Sequence, residues 1–297
     1  MSNVYKWAEI SRNPTPVRFN LLSEFLNEKG FKNEFTAIEV SPPDFEQVLN
    51  DSLKKYKALR FGSPFGINCL DFFNYQPAKI AQLRAADSVI NINGQWELMA
   101  TTLKGFEKHI LANGKNIDLD YSVLIVGTGS ASKFAIHALL QLGISHVKIS
   151  NQFREQAKEL ILELEKKYFR VKFEYVPDDQ LVLLPGTNSV LVNTTPLIES
   201  NHILNELYYF NFLRANGLVI DYTFLPVKTP LIEGAEQIGI HTIHGYEVCA
   251  WGDLHWAKCM SGLDLDYKEY CQKIFEAGKK WDEQNKIKET TKETPRF

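Results

Sequence analysis

Residues 121–133, Tyr-Ser-Val-Leu-Ile-Val-Gly-Thr-Gly-Ser-Ala-Ser-Lys, restrict the possible folds of this chain more than any other stretch. Positions 122–126 are a short apolar run without alternation, the pattern of a strand buried on both faces in a parallel sheet. Gly127 and Gly129 end the run. Apolar residues then recur at Ala131, Phe134, Ala135, Ala138, Leu139 and Leu142, a spacing that lays one stripe of a helix against a sheet. Gly143 stops that helix, and 147–150 reads as the next strand. Gly127 permits a tight turn, and Gly129 removes a Cβ that would stand against a phosphate. The small Ser130 and Ala131 keep the helix start, with its unpaired N–H groups, close to a ligand. The unit predicts dinucleotide binding. Ser132 stands where a third glycine would complete the usual fingerprint, so a tight strand-to-helix turn with no ligand is the alternative.

The same rhythm continues. A helix running through Lys167 precedes strands over 171–176, 189–193 and 218–222, then come a helix opened by Pro230 and a strand over 241–244. Alternation from 121 to 245 implies a doubly wound parallel sheet. Upstream, a strand ending near 8–10 precedes a helix carrying Val17, Leu21, Leu22, Phe25 and Leu26 up to Gly30. Next come a strand over 35–40, a helix with Phe45, Val48, Leu49 and Leu53 after Ser41-Pro-Pro-Asp44, and strand pieces over 59–61 and 66–70. Asn93-Gly94 joins 89–92 to 96–99 in a hairpin, and a helix capped by Thr101 or Thr102 runs to about 111. Helices over 248–261 and 266–281 would return to the first domain. The charge-dense stretch 282–297 has almost no apolar periodicity and is expected to be a solvated, flexible tail. The division is 1–103 completed by 247–281, 104–246 for the nucleotide domain, and 282–297.

A length of 297 residues accommodates two domains, and a net charge of -3 gives no reason to expect nucleic acid or an anionic membrane as partner. No apolar run reaches the ~18 residues a membrane helix needs. The first residues lack the apolar centre of a signal peptide, so a cytoplasmic protein is expected. Cys69, Cys249, Cys259 and Cys271 contain no Cys-x-x-Cys pair; reduced, buried thiols are expected and no metal site.

Together these segments resemble the shikimate/quinate dehydrogenase family over most of the chain, best after residue 121. Gly127-Thr-Gly-Ser-Ala131 is similar to the family's Gly-Ala-Gly-Gly-Ala loop, and Val192-Asn-Thr-Thr-Pro-Leu197 to its cofactor strand. Asp221-Tyr-Thr-Phe-Leu-Pro-Val-Lys-Thr-Pro-Leu-Ile232 is similar to its Asp-x-x-Tyr-x-Pro-x-x-Thr-Pro-Leu-Leu, and Gly245 matches a glycine beside the nicotinamide. The resemblance implies an α/β protein with an N-terminal α/β substrate-type domain and a Rossmann-like doubly wound parallel-sheet domain. It implies NAD(P) bound by Gly127, Gly129, Ser130, Ala131, Asn151, Arg154, Asn193, Thr194, Thr195, Tyr222 and Gly245. Where the family clamps the 2′-phosphate of NADP, this chain has Asn151-Gln-Phe-Arg154 and no acidic residue at the strand end, which leans to NADP over NAD. Arg154 as mere surface charge is the alternative.

The substrate half departs from the pattern. Asn13 and Thr15 replace serines that hold a substrate carboxylate, Leu70 replaces a substrate-facing threonine, and Asp87 an asparagine. The catalytic lysine becomes Asn74 and the catalytic aspartate Thr102, while Phe224 and Gly252 replace a tyrosine and a glutamine. Oxidising a secondary alcohol releases a hydroxyl proton, and neither Asn74 nor Thr102 titrates near neutral pH. Aligning Pro77-Ala-Lys79 with the family's Pro-x-Lys would restore the lysine; a solvated lysine at a helix start is the alternative. Lys79, Asp87 and His255 are therefore the catalytic candidates, each with a structural alternative. His241 and His244, and the aromatics Tyr246, Trp251 and Trp256, read as structural.

Two functions are expected. One is an NAD(P)-dependent oxidoreductase whose interdomain cleft takes a small hydroxy or keto compound other than shikimate. The other is a nucleotide-binding pseudoenzyme with a regulatory or scaffolding role. A monomer or homodimer is expected.

Overall fold

A computed structural model describes residues 4–292. The first sheet is built from β1 (Tyr5–Ser11), α1 (Pro16–Glu28), β2 (Asn33–Glu39), α2 (Phe45–Lys55), β3 (Ala58–Phe61), α3 (Phe65–Asn68), α4 (Ala78–Leu83), β4 (Ser88–Ile92) and β5 (Gln95–Met99). Its order is β2-β1-β3-β4-β5. The two crossovers through α1 and α2 make β2, β1 and β3 parallel; β4 runs antiparallel to β3 after a long connection carrying α3 and α4, and a tight turn makes β5 antiparallel to β4. Asn93 and Gly94 both take positive φ in the expected hairpin turn, at 52° and 88°.

α5 (Thr101–Ala112) leads into the second sheet. There β6 (Ser122–Val126), α6 (Ser130–Leu142), β7 (His146–Ser150), α7 (Arg154–Glu165) and β8 (Lys172–Tyr175) form one half. The other half is β9 (Asn188–Asn193), α8 (Ile203–Leu207), β10 (Leu213–Asp221), α9 (Pro230–Gln237) and β11 (His241–Ile243). All six strands are parallel in the order β11-β10-β9-β6-β7-β8, a doubly wound Rossmann-like sheet whose order reverses between β6 and β9. In doubly wound sheets the strand ends at such a reversal are where a ligand crevice forms.

α10 (Gly245–Ser261) and α11 (Tyr267–Lys292) close on the first sheet. Trp256 and Tyr270 are fully buried with Trp7 and Phe25 in one cluster. α5 packs on both α6 and α10. It can approach α10 so closely because each helix presents a glycine to the other, Gly105 from α5 and Gly252 from α10. A Cβ on Gly105 would lie 2.1 Å from the Val248 carbonyl oxygen, and one on Gly252 3.2 Å from Thr102 Cα.

Two expectations are corrected. Residues 66–70 form no strand; they are α3 followed by a single 3-10 turn. Gly66 brings that turn against the second sheet's domain, since a Cβ there would lie 2.6 Å from Ser130 Oγ and 2.7 Å from the Ala86 carbonyl oxygen. The stretch 282–292 continues α11 as helix, and 293–297 lies outside the described residues.

Candidate dinucleotide and substrate cleft

The turn after β6 separates its two glycines into different jobs. Gly127 takes φ +110°, and a Cβ there would sit 2.4 Å from Thr194 Oγ1 and 3.2 Å from Ser132 Oγ, so only glycine fits. Gly129 is extended and exposed, with no heavy atom within 4 Å of the position its Cβ would take. The bend is thus held from below and clear in front. Ser132, at the third-glycine position, is fully buried with its hydroxyl 2.6 Å from that of Thr194. The two loops are thereby tied together, and the first N–H groups of α6, like those of any helix start, have no carbonyl partner within the helix.

The other cofactor candidates fall into two groups. Asn193 lies at the end of β9 and donates to Asp221 Oδ1 at 3.0 Å, while its own Oδ1 accepts from the N–H and the hydroxyl of Thr195 at 3.1 and 2.7 Å. Asp221 accepts in turn from the Thr229 hydroxyl at 2.6 Å and the Thr223 N–H at 3.1 Å. Burial raises the Asp221 pKa, and these donors act against the rise. The side chains of Asn193 and Thr195 therefore shape the strand ends. Asn151 likewise turns inward, donating to Thr128 Oγ1 at 3.0 Å and Gln156 Oε1 at 3.1 Å. Arg154 opens α7 and is exposed, its guanidinium 5.9 Å from the Tyr175 ring centroid. Gly245 starts α10 beneath Thr223, where a Cβ would lie 2.1 Å from the Thr223 carbonyl oxygen.

On the substrate side, the three catalytic candidates share no hydrogen bond or ion pair with one another among the described residues, although the Asp87 charge acts on His255. Asp87 is buried at the start of β4. Its Oδ1 accepts the Thr101 N–H at 2.8 Å and the Thr101 hydroxyl at 3.0 Å, and its Oδ2 accepts the Thr102 N–H at 2.5 Å. Arg60 stands 3.4 Å away and also bonds the Thr101 hydroxyl. Burial alone would raise the Asp87 pKa, yet Arg60 and the Thr102 donors bring it below the usual carboxylate value. Asp87 is a cap on α5 and a partner for Arg60, a poor proton acceptor. Lys79 pairs with Glu107 of α5 at 2.9 Å on an exposed flank, beside a cavity of about 490 Å³ lined by Gln82, His137, Leu140, Tyr168 and Phe169. His255 is half-buried on α10, with its pKa lowered by burial and by Lys104.

Thr102 is buried, and its hydroxyl lies 3.3 Å from that of Tyr222. Burial pushes the Tyr222 phenol up to about 12. Leu70 belongs to the core of the first sheet, whereas Asn74 is exposed. Phe224 packs against the cluster beneath α10, and Gly252 is spent on the helix contact with Thr102. Asn13 is exposed and Thr15 half-buried on the loop entering α1.

Four charged residues that the sequence reading passed over lie under that loop. Arg18 of α1 is clamped to Asp253 of α10 through Nε at 2.8 Å and Nη2 at 2.6 Å, with the Tyr270 hydroxyl donating to the same carboxylate at 3.0 Å. Arg60 stacks over Phe19 and Trp256 at 5.4 and 5.8 Å. Glu9 of β1 is only 7% exposed, and its Oε2 has no hydrogen-bond partner among the described residues. Burial raises its pKa to about 7 against the pull of Arg18, Arg60 and the Thr15 backbone N–H. The sequence carried a signal for all four: each charge interrupts an apolar stripe at a position that faces inward.

These features define an α/β protein of two sheets, the second Rossmann-like and the first carrying a buried, charge-paired cluster. No family model matches the chain. It is 26% identical over 269 residues to the NADP(+) shikimate dehydrogenase of Prochlorococcus marinus subsp. pastoris, covering 87% of this chain and 91% of that one. To the Brucella ovis enzyme of the same name it is 25% identical over 237 residues, 74% and 76% of the two chains. The structure of quinate dehydrogenase from Corynebacterium glutamicum in complex with NAD superposes with a TM-score of 0.77 at 17% identity, covering 92% and 99%. The chain is a divergent, shikimate/quinate dehydrogenase-like protein of an oxidoreductase family.

Proposed function

We propose that the chain is an NAD(P)-dependent oxidoreductase with a rewritten substrate pocket, acting on a small hydroxy or keto compound other than shikimate in the cleft between the domains. The observation that carries this reading is the unobstructed face of Gly129 above a turn that Gly127, Ser132 and Thr194 hold rigid. A turn of purely structural purpose has no need to keep that face clear. When bound, a nicotinamide dinucleotide supplies hydride transfer to or from the carbon bearing the oxygen. In this reading the N–H groups of Ser130 and Ala131 hold its diphosphate, and Gly245 lets α10 come close to the nicotinamide end. Arg154, exposed beyond the second strand, would pair with a 2′-phosphate, which favours NADP. In the same scheme residues 1–103 with 247–281 form the substrate-type domain, and 104–246 the nucleotide domain.

A second reading, a nucleotide-binding pseudoenzyme, draws on the arrangement of Lys79, Asp87 and Thr102. The first is paired on an outer flank, the second locked under α5, and the third carries no titrating group. Titrating NADP and NAD against the protein's tryptophan fluorescence, then following nicotinamide absorbance with a panel of cyclic hydroxy and keto compounds, separates the two. Binding with turnover supports the enzyme; binding without any turnover supports the pseudoenzyme. No binding of either dinucleotide defeats both.

A further inference from the structure

We propose that the cavity between α4, α6 and the loop entering β8 is a second small-molecule site, built for an aromatic carboxylate. It is separate from the dinucleotide turn, because Leu140 and Gln141 of its wall lie about 15 Å along α6 from Ser130.

The cavity measures about 490 Å³ and takes its wall from elements of both sheets: Lys79 from α4, His137, Leu140 and Gln141 from α6, and Tyr168 and Phe169 from the loop after α7. That volume falls within the ~300–1,000 Å³ typical of small-molecule sites. Its wall offers three things together. The first is an apolar surface. Phe169 is 83% exposed, a large ring left in water beside the cavity, and an aromatic ligand laid on it and on Leu140 would take both faces out of water. The second is a directed donor. The Gln141 amide nitrogen lies 3.0 Å from His137 Nε2 and can only donate, so Nδ1 carries the imidazole proton and donates to the Tyr168 hydroxyl oxygen at 3.0 Å. The Tyr168 O–H is thereby available to a ligand acceptor. The third is positive charge. Glu107 is shared by Lys79 at 2.9 Å and Lys104 at 3.4 Å, and Glu163 by Lys133 at 2.8 Å and Lys167 at 2.7 Å. Lys167 also donates to the carbonyl oxygen of Gln82, a residue of the cavity wall, at 2.8 Å. Each of these carboxylates thus serves two ammonium groups, and an anion entering here meets an excess of cations. A ring face, a hydroxyl donor and an ammonium with hydrogens to spare match a planar aromatic acid.

The test is calorimetric titration of the full chain with benzoate and with benzamide, its uncharged isostere. Benzoate is expected to bind saturably with a Kd of about 1 mM or tighter, and benzamide about fivefold more weakly. Lys79→Ala should weaken benzoate about fivefold and leave benzamide unchanged, a split that a distorted wall would not produce. Ala78→Trp, at an exposed position on the rim, should abolish binding of both by filling the cavity. If that variant fails to fold, Phe169→Ala takes its place and should weaken both ligands alike. No saturable benzoate binding up to about 10 mM overturns the proposal, as does benzamide binding as tightly as benzoate. Benzoate binding untouched by the cavity variants puts the acid elsewhere on the protein and overturns it equally.

Discussion

Asp87 closes the N-terminus of α5 by accepting the Thr102 N–H at 2.5 Å, so two positions where the resemblance placed substrate-handling groups are spent on each other. A carboxylate at a helix start satisfies otherwise unpaired N–H groups and complements the helix dipole. It also neutralises Arg60, which has no aqueous escape. The relationship makes a structural joint where the chain passes from the first sheet to the second.

Asp87→Asn should therefore cost about 3 kcal/mol at neutral pH, because it leaves a buried guanidinium without its counter-charge. The sign of the pH dependence follows from the lowered pKa. A depressed carboxylate contributes stability that is present above its unfolded value and is lost as pH falls through its folded value. The gap between wild type and Asp87→Asn in urea midpoint should accordingly be widest near pH 7 and narrow in acid. An equal gap at pH 7 and pH 3 would refute the assignment.

Glu9 should act with the opposite sign. Its folded pKa is raised from 4.5 to about 7, so the folded protein holds a proton that the unfolded chain has already released across that window. Stability is then full below about 4.5 and declines as pH rises to about 7, by about 3 kcal/mol. Glu9→Gln has no proton to lose. Chemical denaturation at several pH values should show the wild-type decline across this window and a flatter profile in the variant.

Gly129→Val tests the dinucleotide turn without disturbing the fold. The backbone there is extended and the Cβ position open, so the melting temperature should change little. Affinity for NADP should fall about tenfold or more, because the new methyl groups stand where the diphosphate would lie. Gly127→Val is the contrasting case. Its positive φ and the 2.4 Å approach to Thr194 Oγ1 predict loss of stability before any question of binding. A Gly129→Val protein that binds NADP as tightly as wild type would remove the central support for the proposed function.

Lys79→Ala should be nearly silent. The Lys79 side chain is 48% exposed and its pairing with Glu107 lies on the outer flank, so a loss of about 0 to 1 kcal/mol is expected. Any turnover found for the wild type should survive. Abolished turnover with unchanged NADP affinity would reinstate Lys79 as the catalytic group.

Much of this fold could be read in the sequence because its elements announce themselves locally. The run 122–126, the glycine turn and the stripe from Ala131 to Leu142 carry their periodicity within one unit, as does the Asn93-Gly94 hairpin. Residues 66–70 could not be read that way. Whether Ile67, Cys69 and Leu70 form strand or helix depends on Ser130 and Ala86, which come from elsewhere in the chain. The same limit hid the length of α11, whose charged end has no apolar stripe to mark it as helix.

What the sequence by itself determined was the succession of strands and helices and the place of the glycine turn, since these follow from residue type and short-range spacing. Only the tertiary structure decided which charges meet. Arg18 finds Asp253 across 235 positions, Arg60 finds Asp87 from the neighbouring strand, and Glu9 is left beside both arginines with an unpaired oxygen. Coulomb and hydrogen-bond energies depend on distance in space and on how much water is excluded, and neither quantity is written in the order of the residues.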